Sequence, residues 1–275
     1  ESLAQRSSPT GEQTARLKKA PTLTEREDIY LPYRIKRKTR ASAAREKGLE
    51  PLAKKLFENQ LKDPRSEAQL FVNEEKGVPT ADDALAGSRD IMAEWVAEDE
   101  FCRKEMRRLW SKRSSMSSLL IKGKDEAAAK YKDYFDWSES ASAAPSHRIL
   151  AMLRGETEGF LRVKIGPADE EALRLLESRY VKGNSPSAAQ CKLAVADSYK
   201  RLLGPSMETE LRSELKQKAD EEAIRVFINN LRELLMAPPL GEKSVMAVDP
   251  GFRTGCKVVC LDRQGKLLHA DVIYP

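Results

Sequence analysis

The stretch AVDPGFRTGCKVV, residues 247–259, decides what kind of domain the end of this chain forms. It begins within the apolar run Val245–Val248, which is typical of a buried β-strand. A turn-rich loop follows, and Cys256–Leu261 is predicted to be a second strand. A hairpin turn then leads into a third strand, Leu267–Tyr274. Three strands leave one face of a sheet uncovered, so we expect an α/β domain that starts here and is not finished within the chain.

This stretch also carries the sharpest chemical signal in the sequence. Ribonuclease-H-type folds begin with a buried strand that ends in a carboxylate and is followed by a glycine-bearing hairpin. In those folds the carboxylate holds a divalent metal. The same opening suits actin-like and sugar-kinase ATPases, in which the hairpin wraps phosphates with backbone N–H groups. A plain hairpin with an Asx-type turn is the third interpretation. The residues that fit these interpretations are Asp249, Gly251, Arg253, Thr254 and Gly255.

Neither chemistry can be completed from the sequence. A two-metal nuclease needs several convergent carboxylates. Asp262 lies in a hairpin turn and Asp271 lies on the third strand, so neither is an obvious partner of Asp249. We therefore assign no catalytic residue, no metal site and no cofactor.

The chain before residue 240 is predicted to be mainly helical. A long helix from Met207 to Met236 has apolar residues at every third or fourth position, and Ile224, Ile228 and Leu235 widen this stripe. We expect the second half of that helix to be deeply buried. Residues 82–113 are acidic in their first half and basic in their last. This charge order complements the dipole of a single helix, so no bound ligand is required to explain it.

Near the N-terminus, residues 41–59 have the pattern of a helix, a turn and a second helix. Gly48 suits the turn and Pro51 suits the first turn of the second helix. A helix-turn-helix motif is one interpretation, and an ordinary pair of short helices is the other.

The net charge of +5 is concentrated in one segment. Residues 26–47 hold eight Lys or Arg side chains against three acidic ones, which equals the charge of the whole chain. Basic side chains neutralise phosphates and neighbouring aromatic rings stack on bases, so this segment is either a nucleic-acid surface or a solvated loop. The candidate nucleic-acid-binding residues are Tyr30, Tyr33, Arg34, Lys36, Arg37, Lys38 and Arg40.

Composition excludes several other classes of protein. There is no apolar run of the roughly 18 residues that a membrane helix needs, and the N-terminus lacks the pattern of a signal peptide. The four cysteines do not have the spacing of a disulfide or zinc framework, and with two histidines we expect no histidine-based metal site. We expect reduced thiols, a cytoplasmic location and no membrane partner. Residue 1 is Glu, so we expect a chain that starts inside a longer protein.

Longer segments resemble the Tex family of bacterial transcription accessory proteins, in the family's order and through nearly the whole chain. The segments that carry the resemblance are EDIYLPYRIKRKTRASAAREKGLEPLA (27–53), ALAGSRDIMAE (84–94), PSHRILAMLRGETEGFLRVKI (145–165), SYKRLLGPSMETELRSELKQKADEEAIRVFINNLRELLMAPPLG (198–241) and VDPGFRTGCKVV (248–259).

The resemblance implies a helical region that leads into a YqgF/ribonuclease-H-like domain, with helix-hairpin-helix elements and an RNA-binding OB-type barrel beyond it. Family members bind nucleic acid and act around transcription. Asp249 matches the family's first-strand Asp, but the family's YqgF-like domain is not regarded as a working nuclease. The chain lacks the family's first helices, most of that domain and the modules that follow it, so we expect a truncated fragment.

The expected architecture is therefore mainly α, followed by the first three strands of an α/β ribonuclease-H-like (YqgF) domain. We expect an N-terminal helical, helix-turn-helix-like region over 1–110, a central helical region over 111–240 and the incomplete YqgF-like domain over 241–275.

We expect a transcription accessory protein that binds nucleic acid (RNA or DNA) and is not an enzyme. The residues of this chain would mostly form its helical scaffold. Its partners would be nucleic acid and the transcription machinery. The alternatives are a metal-dependent nuclease or resolvase, and a protein-interaction scaffold.

Overall fold

The structure, a computed structural model, describes residues 17–20, 23–33, 38–251 and 253–274. The described chain divides into two compact units, with the boundary between residues 222 and 223. The domain limits expected at residues 110 and 240 stay a prediction. None of the described helices is long and apolar enough to cross a bilayer.

The first unit begins with helices. They are α1 Leu23–Tyr30, a 3₁₀ helix Leu31–Tyr33, α2 Arg40–Glu46, α3 Glu50–Phe57, α4 Pro64–Gln69, α5 Ala81–Glu98 and α6 Glu100–Arg113. Gly48 joins α2 to α3 with φ +83°, a conformation that favours glycine. The two short helices are thus where the sequence predicts them, and a nucleic-acid-binding role for the pair stays a prediction.

Helices α5 and α6 correct the expectation of one helix over residues 82–113. The break is at Asp99, whose extended backbone (ψ 116°) ends α5. Its side chain accepts a hydrogen bond from the Cys102 backbone N–H at 2.7 Å, and this caps the start of α6. The charge pattern alone could not show this, because an acidic first turn and a basic last turn also suit each helix separately.

A three-stranded antiparallel sheet follows α6. Its strands are β1 Ser115–Leu120, β2 Asp136–Ser140 and β3 Leu161–Gly166, and β1 lies in the centre. The remaining elements of the unit are a 3₁₀ helix Ala129–Tyr134, α7 Ser146–Thr157, α8 Asp169–Tyr180, α9 Pro186–Asp197, a π-helix Ser198–Leu203 and α10 Gly204–Leu235, which crosses the unit boundary.

Two clusters of buried apolar side chains hold the first unit together. One joins α2, α3 and α5 around Leu52, Leu56 and Ile91. The helices approach closely there, since a Cβ on Gly87 of α5 would lie 2.4 Å from Cδ1 of Leu49. The other cluster joins the sheet to α6–α10, and its fully buried members include Met106 and Met152.

The second half of α10 contradicts the expectation of deep burial. Met207, Leu211, Leu215 and Ala219 are buried. Beyond residue 222, by contrast, Ile224 is 58% exposed, Ile228 is 55% exposed and Leu235 is 76% exposed. An apolar stripe at helical spacing shows that a helix is amphipathic, but it does not show what covers each part of the stripe.

The second unit contains the three predicted strands. They are β4 Val245–Asp249, β5 Cys256–Leu261 and β6 Leu267–Ile273, paired antiparallel in the order β4-β5-β6. This meander confirms the expected fold class, a mainly helical chain followed by the first strands of a YqgF-like domain.

Candidate nucleic-acid interface

The basic run that the sequence singles out lies between α1 and α2. Tyr30 is the last residue of α1 and is half-buried. Lys38 and Arg40 lie at the start of α2, and both side chains are exposed. Arg34, Lys36, Arg37 and the Tyr33 side chain lie outside the described residues.

The start of α2 is fixed by a capping box at Thr39. The Thr39 hydroxyl accepts a hydrogen bond from the Ser42 backbone N–H at 3.0 Å, and the Ser42 hydroxyl accepts one from the Thr39 N–H at 2.8 Å. The Thr39 hydroxyl also donates to Glu94 of α5 at 3.2 Å. The backbone that carries Lys38 and Arg40 is therefore held against α5.

Lys38 and Arg40 differ from the cations around them. Arg45, on the same helix as Arg40, pairs with Glu94 at 2.7 Å. Within the described ranges no carboxylate lies within ion-pair distance of Lys38 or Arg40. Arg40 also lines a 300 Å³ cleft between α2 and α5. Both cations are thus available to an external anion.

Two arginines in the basic stretch of α6 belong to an internal ion-pair network. Arg103 and Arg107 each contact both Asp28 of α1 and Glu210 of α10. The Arg103 Nε–Asp28 Oδ1 distance is 2.7 Å, and the Arg103 Nη2–Glu210 Oε1 distance is 2.6 Å. Burial opposes the charge on Arg107, but hydrogen bonds to Asp28 and Glu210 outweigh burial and raise its pKa. These two arginines stabilise the fold and are not free to bind phosphates.

This network lies beside Tyr30. A 490 Å³ cleft is lined by Tyr30 and Leu31 on one side and by Arg103, Arg107 and Glu210 on the other. The cleft connects the end of α1 with the surface of α6. It has no excess of positive charge, because three carboxylates (Glu27, Asp28 and Glu210) line it together with the two arginines.

The second candidate, the hairpin after β4, is tightly folded. A Cβ on Gly251 would lie 2.6 Å from the Gly255 carbonyl oxygen and 2.7 Å from the Thr254 hydroxyl. Gly255 has φ +79°, and a Cβ there would lie 2.6 Å from Val272. Only glycine fits at these two positions. Arg253 and Thr254 are exposed at the tip.

The strand register shows how the acidic residues of this sheet are arranged. Asp249 is paired with Lys257, whereas Asp271 is paired with Val258. Because paired residues point to the same face and neighbours in a strand alternate, Asp249 and Asp271 lie on opposite faces.

Asp262 follows the far end of β5, where its carboxylate accepts hydrogen bonds from the N–H groups of Gln264 and Lys266 at 2.9 and 2.8 Å. The register therefore does not bring the three carboxylates together. Among the described residues, no three His, Cys, Asp or Glu side chains are grouped as metal ligands.

One charged surface was missed at the sequence level. Arg162 and Lys164 are exposed on β3, on the face of the sheet that points away from the apolar cluster. The alternation of apolar and basic residues along β3 is the signal that could have identified it.

Comparison with known proteins identifies the family. The description "Tex central region-like" matches residues 59–227, and "Tex protein YqgF-like domain" matches residues 243–275. The chain is 38% identical to "Protein tex" of Bordetella pertussis over 290 aligned residues, covering 100% of this chain and 36% of that protein.

More distant relatives show the same colinear match. The "Transcriptional accessory protein Tex" of Neisseria gonorrhoeae is 36% identical, covering 94% of this chain and 35% of its own length. The human "S1 RNA-binding domain-containing protein 1" is 30% identical, covering 92% of this chain and 27% of its own length. The chain thus spans about a third of the length of the curated relatives it matches. A central-region match that covers more than half of the residues, followed in order by a YqgF-like match, means that this chain belongs to the Tex family.

Proposed function

We propose that this chain is the part of a transcription accessory protein that presents a nucleic-acid-binding surface on a mainly helical scaffold. The observation that carries this proposal is the pair of exposed cations Lys38 and Arg40, which form no ion pair with any described carboxylate. Family membership supports it, since relatives are named for transcription and for an RNA-binding domain. The transcription machinery would be the protein partner.

Lys38 and Arg40 carry the positive charge that neutralises phosphates. Lys and Arg side chains that neutralise phosphates release counterions, so affinity falls steeply as salt rises. Contacts of this kind fix the position of a nucleic acid and carry no sequence information. Tyr30 lies next to this segment and could add stacking only to an unpaired base.

We also propose that the chain contributes no catalytic step. This proposal is supported by the strand register, which puts Asp249 and Asp271 on opposite faces of the sheet. A two-metal reaction needs carboxylates that converge on the same ions. Full-length protein with Mg²⁺ is therefore expected to leave single-stranded, duplex and branched substrates intact. Cleavage that Asp249→Asn abolishes would contradict this.

The binding proposal is tested by titrating a fluorescent oligonucleotide with the chain at several salt concentrations. We expect replacement of Lys36, Arg37, Lys38 and Arg40 by Ala to weaken binding and to reduce the slope of log K against log salt by up to about 3 for a single strand. The matched control replaces four lysines that already pair with carboxylates, Lys130, Lys192, Lys216 and Lys218.

The control removes the same total charge from other places on the surface. It is expected to change the slope much less, because those lysines are engaged within the protein. If both quadruple variants reduce the slope equally, the basic run is not a specific surface. If the unmodified chain binds neither RNA nor DNA at low salt, the proposed function itself is wrong.

A further inference from the structure

The outward face of the first sheet has an unusual composition. Register pairing places Ser140, Ser115 and Gly166 in one row across the three strands, and Ser138, Ser117 and Lys164 in the next row. The third row contains Asp136, Leu119 and Arg162. The name serine face is used below for Ser115, Ser117, Ser138, Ser140, Arg162 and Lys164.

The two faces of this sheet are clearly different. On β3 the alternate residues Leu161, Val163 and Ile165 are buried in the apolar cluster, whereas Arg162 and Lys164 are exposed. Leu119 in the centre of the outer face is 54% exposed. Five members of the serine face are exposed and Ser117 is half-buried, so its cationic groups and most of its hydroxyls are open to solvent.

The cations of this face are not neutralised. Neither Arg162 nor Lys164 forms an ion pair with any residue that the structure describes. Asp136 is the acidic residue of the same face, two strands away from Arg162, which corresponds to about 10 Å. The Ser140 hydroxyl forms a hydrogen bond with the Ser142 hydroxyl at 3.1 Å, whereas those of Ser115 and Ser117 make only long contacts, 3.4 Å from the carbonyls of Gly166 and Lys164. They retain the capacity to bind an external acceptor.

The cationic character continues past the end of β3. Lys164 and Lys200 line a common 200 Å³ cleft, whose wall includes Trp110 packed on Gly166. The acids that line this cleft are already engaged. Asp169 accepts a hydrogen bond from the Tyr199 hydroxyl at 3.2 Å, and Glu208 accepts from the Ile165 N–H at 3.2 Å. Lys200 is exposed and, like Lys164, has no paired carboxylate within the described part of the chain.

We propose that the serine face binds the phosphate backbone of a nucleic acid strand, with Arg162 and Lys164 as its cations and the serine hydroxyls as additional donors. Arg162 and Lys164 are two residues apart on one strand, so their Cα atoms are separated by about 6.6 Å, comparable to the spacing of successive phosphates. Trp110, which packs on Gly166 at the end of this face, is only 4% exposed and so offers no ring for base stacking, and we expect the face to bind without sequence preference. This inference rests on the proposed function and adds a second surface to it.

The test compares two double variants by the same salt titration. Arg162→Gln with Lys164→Gln is expected to weaken oligonucleotide binding about five- to tenfold at moderate salt and to reduce the salt slope by about 1 to 2. The matched control, Lys216→Gln with Lys218→Gln, removes the same charge from lysines that pair with Asp220 and Glu214. Asp136→Asn, which removes the acid of the same face, is expected to tighten binding.

Circular dichroism establishes that the variants fold, which is expected because all substituted side chains are exposed. If the chain binds nucleic acid but both double variants behave alike, the serine face is not the surface, and the proposed function still stands. If the Arg162/Lys164 variant loses binding of polyaspartate and keeps that of the oligonucleotide, the occupant is an acidic protein segment and the proposal is wrong. Absence of any binding by the unmodified chain would contradict both.

Discussion

At the scale of single residues, the buried thiols show most directly how the environment changes a side chain. Burial raises the pKa of Cys102 to about 12 and that of Cys191 to about 11, because a thiolate loses its hydration inside the apolar cluster. Cys256 and Cys260 on β5 are more exposed. A thiol reacts only if it can form a thiolate and is accessible. We therefore expect Cys256 and Cys260 to be reactive and Cys102 and Cys191 to be unreactive in the folded protein.

We expect iodoacetamide at pH 8.5 to label Cys256 and Cys260 in the native protein, and Cys102 and Cys191 only after unfolding. The measurement is mass spectrometry of peptides after timed alkylation. Labelling of Cys102 at the rate of Cys260 would contradict the burial seen in the structure.

The same shifts give a pH dependence of stability with a definite sign. The folded pKa values are above the unfolded value of about 9, so the protonated thiols contribute stability that is fully present below pH 9. This contribution is lost as pH rises from 9 toward 11 and 12. Urea midpoints should therefore fall less steeply above pH 9 in Cys102→Ala than in the unmodified chain.

At the scale of secondary structure elements, the ion-pair network of Asp28, Arg103, Arg107 and Glu210 joins α1 to α6 and α10. Asp28 is only 4% exposed and accepts hydrogen bonds from both arginines. Removing one partner of a buried pair leaves an uncompensated charge, which is strongly destabilising.

We expect Asp28→Asn to lower the free energy of unfolding by about 3–5 kcal/mol, measured by urea denaturation. Asp125→Asn is the matched control, because Asp125 is exposed, and it should stay within about 0.5 kcal/mol. Arg107→Gln combined with Asp28→Asn restores the charge balance and should cost less than the sum of the two single changes. Equal losses in Asp28→Asn and the control would mean that the network does not anchor α1.

Elements also show how far sequence reasoning extends. The meander β4–β6 could be predicted, because apolar runs alternate with turns that contain glycine and the signals are local. The break at Asp99 could not be predicted, because α5 ends without Gly or Pro. An Asp among other acidic residues gives no distinct signal. The serine face could not be predicted either. It exists only because β1, β2 and β3, spread over residues 115–166, pair in one register.

Part of the candidate site could likewise be predicted from the sequence, and part could not. Lys38 and Arg40 were identified by charge density alone, and the structure adds that they begin a capped helix and are exposed. The basic stretch of residues 82–113 includes Arg103 and Arg107, whose guanidinium groups pair with Asp28 and are therefore not free. Whether a basic side chain is free or paired depends on residues about 75 to 107 positions away in the sequence, as the contacts of Arg103 show.

At the scale of the whole molecule, the distribution of buried side chains decides which part is self-sufficient. Both apolar clusters are formed by residues before 222, and the last buried side chain of α10 is Ala219. The large apolar side chains of α10 beyond that point, such as Phe227 and Leu231, are exposed. Hydrophobic stabilisation scales with the apolar area removed from water, so these two clusters supply the hydrophobic stabilisation of the first unit.

We therefore expect a chain that ends at residue 222 to unfold cooperatively and to keep its thermal midpoint within about 3 °C of the whole chain, a shift of about 1 kcal/mol for a unit of this size. A chain that ends at residue 206 is the control. It lacks Met207, Leu211, Leu215 and Ala219, each of which is at most 8% exposed, and should lose the cooperative transition. Loss of cooperativity in the 222-residue chain, measured by circular dichroism on heating, would show that the first unit depends on residues 223–275. Retention of a sharp transition in the shorter control would show that α10 is not needed for the second apolar cluster.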